Sequence, residues 1–167
     1  MEKLMISGSS LDELCVMIGN EIVPEFGKKV LEFGSCGCSI ADEVIPQCDY
    51  LALTDKDPGL TARFSRFSED NKVQIIPDSE LGEDCYFGRF HLVYTLFGFH
   101  DLPHLVDEIM RLRRLILKGG KIAAVDFTAD GFAGECTKQL KRCGFQNFKN
   151  QTFMIEGKEA FLITAEK

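Results

Sequence analysis

Two glycines and one carboxylate have the spacing of a nucleoside-binding site. Gly34 and Gly37 follow a predicted buried strand at 29–33, where glycine lets the backbone turn sharply and approach a ligand in front of the next helix. Asp55 comes 21 residues after Gly34, at the end of a second predicted strand. An acidic side chain in that place accepts hydrogen bonds from both ribose hydroxyls of a nucleoside. The alternative is that the glycines only form an ordinary strand-to-helix turn.

His100 is the residue best suited to proton transfer. It follows a predicted strand at 90–96, and the pKa of an unperturbed histidine lies near neutrality. The alternative is that His100 only starts a helix. His100 and His104 also have a spacing that a metal site can use. Pro103 interrupts that spacing and no third strong ligand is evident, so we predict no metal.

The cysteines favour a reducing environment. The chain has seven cysteines, an odd number, and no Cys-x-x-Cys pair. This pattern fits reduced thiols in a cytoplasmic protein better than a disulfide framework. Cys36 and Cys38 are the only close pair. We interpret them as small buried residues, with a soft-metal or redox site as the alternative.

Predicted strands and helices alternate along the chain and position these residues. Apolar runs predict strands at 29–33, 50–54, 73–76, 90–96, 121–127, 148–155 and 160–165. Helical periodicity predicts helices over 10–23 and 103–117, with shorter ones after Ile40, Asp57 and Gly134. Gly119 suits the left-handed cap of the second long helix, whose arginines should form a solvated face.

This alternation predicts an α/β protein. The strands lack strict period-2 polarity, so we expect a Rossmann-like, seven-stranded, mostly parallel sheet with helices on both faces. A turn at 156–158 joins the final two strands and makes the last one antiparallel. We predict a single domain over 1–167, in which 1–27 forms an N-terminal helix and candidate lid and 28–167 forms the core.

Charge and hydropathy exclude several partners. The formal net charge is −7, which disfavours unspecific binding to nucleic acid or to anionic lipid. No apolar run approaches the length of a membrane span, and the first residues do not form a signal peptide. We therefore expect a cytoplasmic protein without nucleic-acid or membrane partners, and its oligomeric state stays open.

Several motifs together resemble the class I S-adenosylmethionine-dependent methyltransferases. Residues 30–37 (Val-Leu-Glu-Phe-Gly-Ser-Cys-Gly) are similar to the first motif of that family, and 53–58 (Leu-Thr-Asp-Lys-Asp-Pro) to the second. Asp78-Ser79, 90–102, 117–122 and 161–165 match later family segments in order and at the expected spacing. The fourth-strand segment resembles small-molecule enzymes of the type 11 group, which is related to quinone biosynthesis.

The resemblance implies a cofactor, a product and a set of site residues. The cofactor is S-adenosylmethionine, the product is S-adenosylhomocysteine, and the methyl acceptor is a small molecule or a protein. His100 is the implied base, and Tyr94, Phe97 and Phe99 are aromatic candidates to face the sulfonium. The implied cofactor-binding residues are Glu32, Gly34, Ser35, Cys36, Gly37, Asp55, Lys56, Asp78, Ser79 and Thr95.

Two departures from the family pattern leave an alternative function open. Cys36 and Cys38 stand where the family usually has glycines, so the glycine loop is degenerate and is expected to weaken cofactor binding. Only 128–134 separate the fifth strand from the next helix, which predicts an acceptor site that is open or completed by a partner. A catalytically inactive domain that binds or regulates a partner is the alternative. A dinucleotide oxidoreductase fits less well because its three-glycine fingerprint is absent.

Overall fold

The computed structural model describes residues 9–21, 28–34 and 38–167. The strands of this part of the chain are β1 (Lys29–Phe33), β2 (Tyr50–Thr54), β3 (Val73–Ile75), β4 (Phe90–Leu96), β5 (Ile116–Phe127), β6 (Gln146–Ile155) and β7 (Lys158–Glu166). Its α-helices are α1 (Ser9–Glu21), α2 (Ala41–Val44), α3 (Pro58–Thr61), α4 (Leu105–Leu115) and α5 (Phe132–Arg142). The predicted alternation of strands and helices is therefore confirmed.

The strands form one seven-stranded sheet in the order β3-β2-β1-β4-β5-β7-β6. Strands β1 to β5 pair in parallel, and β7 is antiparallel to both β5 and β6. This topology confirms the predicted Rossmann-like α/β class. The strand order reverses between β1 and β4, and ligands of such sheets bind at the carboxyl ends of the strands beside that reversal.

Helices cover both faces of the sheet. On one face, Leu14 and Ile18 of α1 are fully buried in a cluster that also contains Tyr94 of β4. On the other face, Leu112 of α4 and Leu140 of α5 are fully buried against the sheet. Burial of such a side chain contributes about 1.5–3 kcal/mol. Burial on both faces explains why β1, β2 and β4 are nearly continuous apolar runs.

The N-terminal helix is part of the core. Besides its buried stripe, Glu21 forms an ion pair with Lys121 of β5, with 3.2 Å between Oε2 and Nζ. The lid role of 1–27 stays a prediction, and residues 1–8 and 22–27 lie outside the described residues. None of the described helices is long and apolar enough to cross a membrane.

The boundary between α4 and β5 differs from the prediction. The helix ends at Leu115, and Ile116 already pairs with Phe90 as the first residue of β5. The register then shifts before Lys121 pairs with Leu92. Gly119 has the left-handed φ of +79° but lies in this irregular part of the strand. The prediction that it caps a helix is therefore wrong, because strand pairing begins at Ile116, three residues before Gly119.

Candidate functional site

The loops after β1 and β4 touch through two glycines. The backbone N–H of Gly34 donates to the carbonyl of Thr54, 3.0 Å away, and Gly34 has a φ of +57°. A Cβ added to Gly98 would lie 2.2 Å from the Gly34 carbonyl oxygen and 2.5 Å from Thr95 Oγ1. Only glycine fits at 98, because the backbone of the other loop occupies that space. The sequence analysis missed Gly98, for which the only local signal was a glycine directly after a predicted strand.

No described atom fills the position that a side chain of Gly34 would take. A Cβ added there would meet none of the described atoms within 4 Å. The predicted loop residues Ser35, Cys36 and Gly37 lie outside the described residues. The prediction that Cys36, standing in place of a glycine, weakens cofactor binding therefore stays a prediction. Cys38 is buried in the apolar cluster on the α1 side of the sheet. Its burial fits the interpretation as a small core residue.

Glu32 connects the elements on either side of this loop. It is fully buried at the carboxyl end of β1 and accepts a hydrogen bond from the Tyr94 hydroxyl, with 2.5 Å between Oη and Oε2. The same oxygen accepts from the backbone N–H of Ile40 at 3.3 Å. Burial and the nearby Glu32 carboxylate raise the pKa of Tyr94 well above its usual value. Glu32 therefore holds together β1, β4 and the segment before α2.

Two buried threonine hydroxyls lie close to the Gly34 turn. Thr54 ends β2 and Thr95 lies in β4, and both side chains are almost fully buried. Their Oγ1 atoms have no hydrogen-bond partner within the described ranges. A buried hydroxyl without a partner is costly to a fold.

Asp55 lies where the sequence predicted it, directly after β2. It is 7 % exposed, and its Oδ1 accepts a hydrogen bond from the backbone N–H of Asp57 at 2.9 Å. That bond fixes the carboxylate at the edge of the sheet. Its role in holding a ribose stays a prediction.

Four charged side chains connect the loops after β2 and β3 to α4. Lys56 Nζ lies 2.5 Å from Oε2 of Glu108, and the Arg111 guanidinium lies 2.6 Å from Oε1 of the same carboxylate. Arg111 also contacts Asp78 Oδ1 at 2.5 Å and the Asp78 carbonyl oxygen at 3.1 Å. Burial alone would lower the pKa of Arg111, but the hydrogen bonds to Asp78 and Glu108 raise it above its usual value.

This charged network, defined as Lys56, Asp78, Glu108 and Arg111, corrects one expectation. The arginines of α4 were predicted to form a solvated face, but the Arg111 side chain is only 25 % exposed. Asp78 was predicted to face a ligand, and its Oδ1 accepts a hydrogen bond from Arg111. The adjacent Ser79 is exposed. The cofactor roles of Lys56, Asp78 and Ser79 stay predictions.

His100 is held by a buried carboxylate that the sequence analysis did not assign to the site. Its Nδ1 lies 2.8 Å from Oδ1 of Asp126, a fully buried residue at the end of β5. Asp126 also accepts the backbone N–H groups of Phe99, His100 and Phe127, at 3.3, 3.1 and 2.9 Å. The only signal in the sequence was one acidic residue inside an apolar strand run.

The surroundings of Asp126 set the proton positions. Burial raises the pKa of Asp126, and the nearby His100 and the backbone N–H groups partly offset that rise. An ionised Asp126 can only accept, so Nδ1 of His100 carries the shared hydrogen, and Nε2 is a proton acceptor in the neutral form of the ring. Asp101 Oδ2 lies 3.3 Å from Nε2. The His100 side chain is 40 % exposed and can therefore reach a ligand.

The turn after β4 is strained. Phe97 has a φ of +56°, which is rare for a bulky residue, and its N–H donates to the Val125 carbonyl at 2.8 Å. Tyr94, Phe97 and Phe99 are all at most 1 % exposed. These rings belong to the core, so the expectation that they face a ligand is not supported. The rings that line the nearby cleft are Phe127 and Phe132.

Two adjoining clefts lie beside His100. The first, which we call the histidine cleft, has a volume of about 440 Å³ and is lined by His100, Asp126, Phe127, Ala129, Asp130, Phe132 and Glu135. A second cleft of about 410 Å³ runs along the start of α4 and shares Phe132 and Glu135 with the first. Only 128–131 connect β5 to α5, so this connection forms no large cap above these clefts.

The described ranges contain no group of three His, Cys, Asp or Glu side chains that is arranged to hold a metal ion. His104 lines the second cleft rather than the histidine cleft. The two histidines therefore face different spaces.

Comparison with known proteins identifies the fold. No family model and no curated protein sequence matches the chain. An S-adenosylmethionine-dependent methyltransferase from Mesorhizobium loti shares 12 % identity at a TM-score of 0.73, over 94 % of this chain and 100 % of that one. A Burkholderia thailandensis 1,6-didemethyltoxoflavin N1-methyltransferase with bound S-adenosylhomocysteine shares 16 % identity at 0.72, over 95 % and 78 %.

A third solved structure shows that this fold carries more than one reaction. The 4+2 cyclase SpnF shares 11 % identity at a TM-score of 0.77, over 93 % of this chain and 80 % of that one. The chain thus has the fold of the class I methyltransferases, as the motifs indicated. At these identities the likeness establishes the fold, and the reaction must be argued from the site.

Proposed function

We propose that this protein transfers a methyl group from S-adenosylmethionine to a small-molecule or protein acceptor. The observation that carries the proposal is the His100–Asp126 pair, which opens onto the histidine cleft at the carboxyl ends of β4 and β5. Sheets of this topology bind their ligands at that edge. Two structural neighbours are methyltransferases by name, and one of them contains the demethylated product.

The described residues fit this cofactor. Asp55 supplies a fixed carboxylate for the ribose hydroxyls, and no described atom fills the position that a side chain of Gly34 would take. The charged network holds the loops that carry Lys56 and Asp78 against α4.

The chain has two tasks in the reaction. The bound cofactor supplies an electrophilic methyl group, and displacement at that carbon needs little covalent help. The protein holds acceptor and donor in contact, an effect worth roughly 7–11 kcal/mol. His100 Nε2 takes a proton from an oxygen or nitrogen acceptor, while Asp126 fixes the ring and stabilises the charge that results.

Calorimetric titration tests the cofactor assignment. Asp55→Ala should weaken S-adenosylmethionine and S-adenosylhomocysteine binding by about ten- to a hundredfold, because two hydroxyl hydrogen bonds to a carboxylate are lost. Asp84→Ala is the matched control, since Asp84 is exposed and lies in the turn Asp84–Tyr86, away from this edge. Equal affinities for Asp55→Ala and the parent would contradict the placement of the ribose.

Turnover separates an enzyme from an inactive binding domain. His100→Gln should reduce methyl transfer by about a hundredfold or more while leaving cofactor affinity unchanged. His104→Gln lies four residues further on, lines the other cleft and should retain activity. If the parent binds the cofactor but methylates none of the amine, phenol and thiol acceptors tested, the inactive-partner hypothesis is favoured.

The narrower predictions belong to the same proposal. The relationship to the quinone-biosynthesis group, the cytoplasmic location and the absence of nucleic-acid partners rest on the motifs and composition described above. An acceptor assay with phenols and quinols would test the first of these.

A further inference from the structure

We infer that the methyl acceptor is an amine, which reaches the histidine cleft as a cation and binds between carboxylates and aromatic rings. The inference rests on the proposed methyl transfer and names the class of acceptor. The observation behind it is that Asp130 and Glu135 lie in the same cleft wall as Phe127 and Phe132, beside the His100–Asp126 pair.

The ionisable groups that line the clefts are acidic apart from the histidines. The histidine cleft is lined by Asp126, Asp130 and Glu135, and no lysine or arginine of the described residues lines it. The second cleft adds Asp107 and is likewise without a lining lysine or arginine in that part of the chain. An anionic acceptor would have to approach several like charges, whereas a cation is attracted to them.

Two lysines contact side chains of the cleft wall, and Gln139 Nε2 donates a hydrogen bond to Oε1 of Glu135. Lys138 Nζ lies 3.7 Å from Glu135 Oε2, but its side chain is 68 % exposed and the contact is screened by water. Lys158 Nζ lies 5.5 Å from the centroid of the Phe127 ring. Asp130 directly precedes Gly131, which connects it to α5, and its side chain is exposed toward the cleft.

The aromatic rings give a second and independent preference for a cation. The ring faces of phenylalanine attract ammonium groups by about 0.5–2 kcal/mol, depending on how far water is removed. The Phe127 ring already has Lys158 Nζ 5.5 Å from its centroid and the Phe97 ring 4.7 Å away, so the preference for a ligand cation rests mainly on Phe132. Phe132 lies at the ridge shared by both clefts. Carboxylates and ring faces together favour an organic ammonium over an alcohol, which has no charge to recognise.

An amine acceptor is methylated in two steps, proton loss and methyl transfer. The ammonium first loses one proton to Nε2 of His100, whose other ring nitrogen is held by Asp126. The amine lone pair then forms a bond to the methyl carbon of the sulfonium donor, the carbon–sulfur bond breaks, and its electron pair stays on sulfur. The positive charge of the sulfonium passes to the methylated nitrogen, which remains beside the same carboxylates.

A charge-matched set of probes tests the preference directly. In NMR titrations of the full chain, each probe is added until the amide signals of 126–135 shift. We expect benzylammonium to do this at a concentration at least fivefold lower than the concentration of benzoate that is needed. The concentration needed for benzyl alcohol should lie between the two. The variant Asp130→Asn/Glu135→Gln should weaken benzylammonium binding roughly fivefold, as expected for two partly exposed charges. Asparagine tolerates the left-handed φ of +54° at 130, so the loop should keep its shape.

A second double variant controls for net charge. Glu69→Gln/Asp84→Asn removes the same two charges at exposed positions that line neither cleft. It should leave benzylammonium binding unchanged. The inference is overturned if benzoate binds this cleft as tightly as benzylammonium, or if the control weakens the cation as much as the cleft variant.

Turnover distinguishes failure of this inference from failure of the proposed function. With S-adenosylmethionine, benzylamine should gain a methyl group by mass spectrometry, ahead of benzyl alcohol and benzyl thiol. Methylation of the alcohol or thiol without the amine overturns the amine assignment while it confirms methyl transfer. Absence of cofactor binding in calorimetry refutes the proposed function, and the NMR titration then decides the cation preference by itself.

Discussion

The two ends of the candidate site are stabilised in opposite ways. At the β2–β3 end, the charged network ties two loops to α4 through ion pairs between side chains, and Lys56 is 45 % exposed. At the β4–β5 end, a single fully buried carboxylate, Asp126, accepts three backbone N–H groups and one histidine. The first end is held by ion pairs between side chains, and the second is held by backbone groups that bind one buried carboxylate.

This difference has a functional consequence. A loop fixed by backbone hydrogen bonds to one buried group leaves its outer side chains available for an acceptor, as Asp130 and Phe132 are. In loops that are fixed through their own side chains, fewer side chains are available to contact a ligand. We therefore expect substitutions at the β4–β5 end to lower stability and turnover together, and those at the β2–β3 end to lower cofactor affinity together with a smaller part of the stability.

The largest effect is expected for Asp126→Ala. The change leaves buried backbone N–H groups without an acceptor, so the free energy of unfolding should fall by about 3–5 kcal/mol in urea denaturation. Asp101→Ala should lower it by about 0.5 kcal/mol or less, because that side chain is 45 % exposed. A loss below about 1 kcal/mol for Asp126→Ala would show that water replaces the carboxylate. The hydrogen bonds of Asp126 would then not be needed to hold this end of the site.

Gly98→Ala tests the contact between the loops after β1 and β4. The added methyl group overlaps the Gly34 carbonyl, so the unfolding free energy should fall by about 1–3 kcal/mol and cofactor binding should weaken as the β1 loop moves. Gly82→Ala is the control, since a Cβ there meets no described atom within 4 Å. Calorimetry measures the cofactor affinity of both variants, and urea denaturation measures their unfolding free energy. Equal values for the two variants would mean that the loops after β1 and β4 lie further apart than the structure shows.

Glu108→Gln breaks the charged network at its centre. The buried carboxylate holds both Lys56 and Arg111, so we expect a loss of about 1–2 kcal/mol in stability and about three- to tenfold in cofactor affinity. Asp42→Asn removes an ion pair of similar length to Arg66 whose side chains are more than half exposed, and its effect should stay below about 0.5 kcal/mol. Similar losses for both variants would mean that burial adds nothing to the network.

Thiol alkylation gives the smallest and most local measurement. Burial raises the pKa of Cys136, which lies on the buried face of α5, to about 12, and that of Cys48 to about 11. At pH 8 almost no thiolate is present at either position, so iodoacetamide should modify the exposed Cys85 first. Mass spectrometry of the digested protein follows each site. Early labelling of Cys136 would reveal that the β4–β5 end opens without global unfolding.

The sequence by itself determined the sheet and the outline of the site. The bounds predicted for β2 and β4 agree with the structure, because each is a buried apolar run that ends in turn-forming residues. Asp55 and His100 follow strands whose carboxyl ends share one edge, so their placement needed only the strand order along the chain. Local patterns were sufficient wherever a residue's position depended on its own strand.

Tertiary structure decided which side chains meet. His100 and Asp126 are 26 residues apart, Asp78 and Arg111 are 33 apart, and both contacts depend on how neighbouring elements are placed beside each other. Gly98 is required only because the carbonyl of Gly34 comes close to it in space. Periodicity records which face of an element is buried, but it carries no information about the partner, because pairing across a parallel sheet is set by strand order and register.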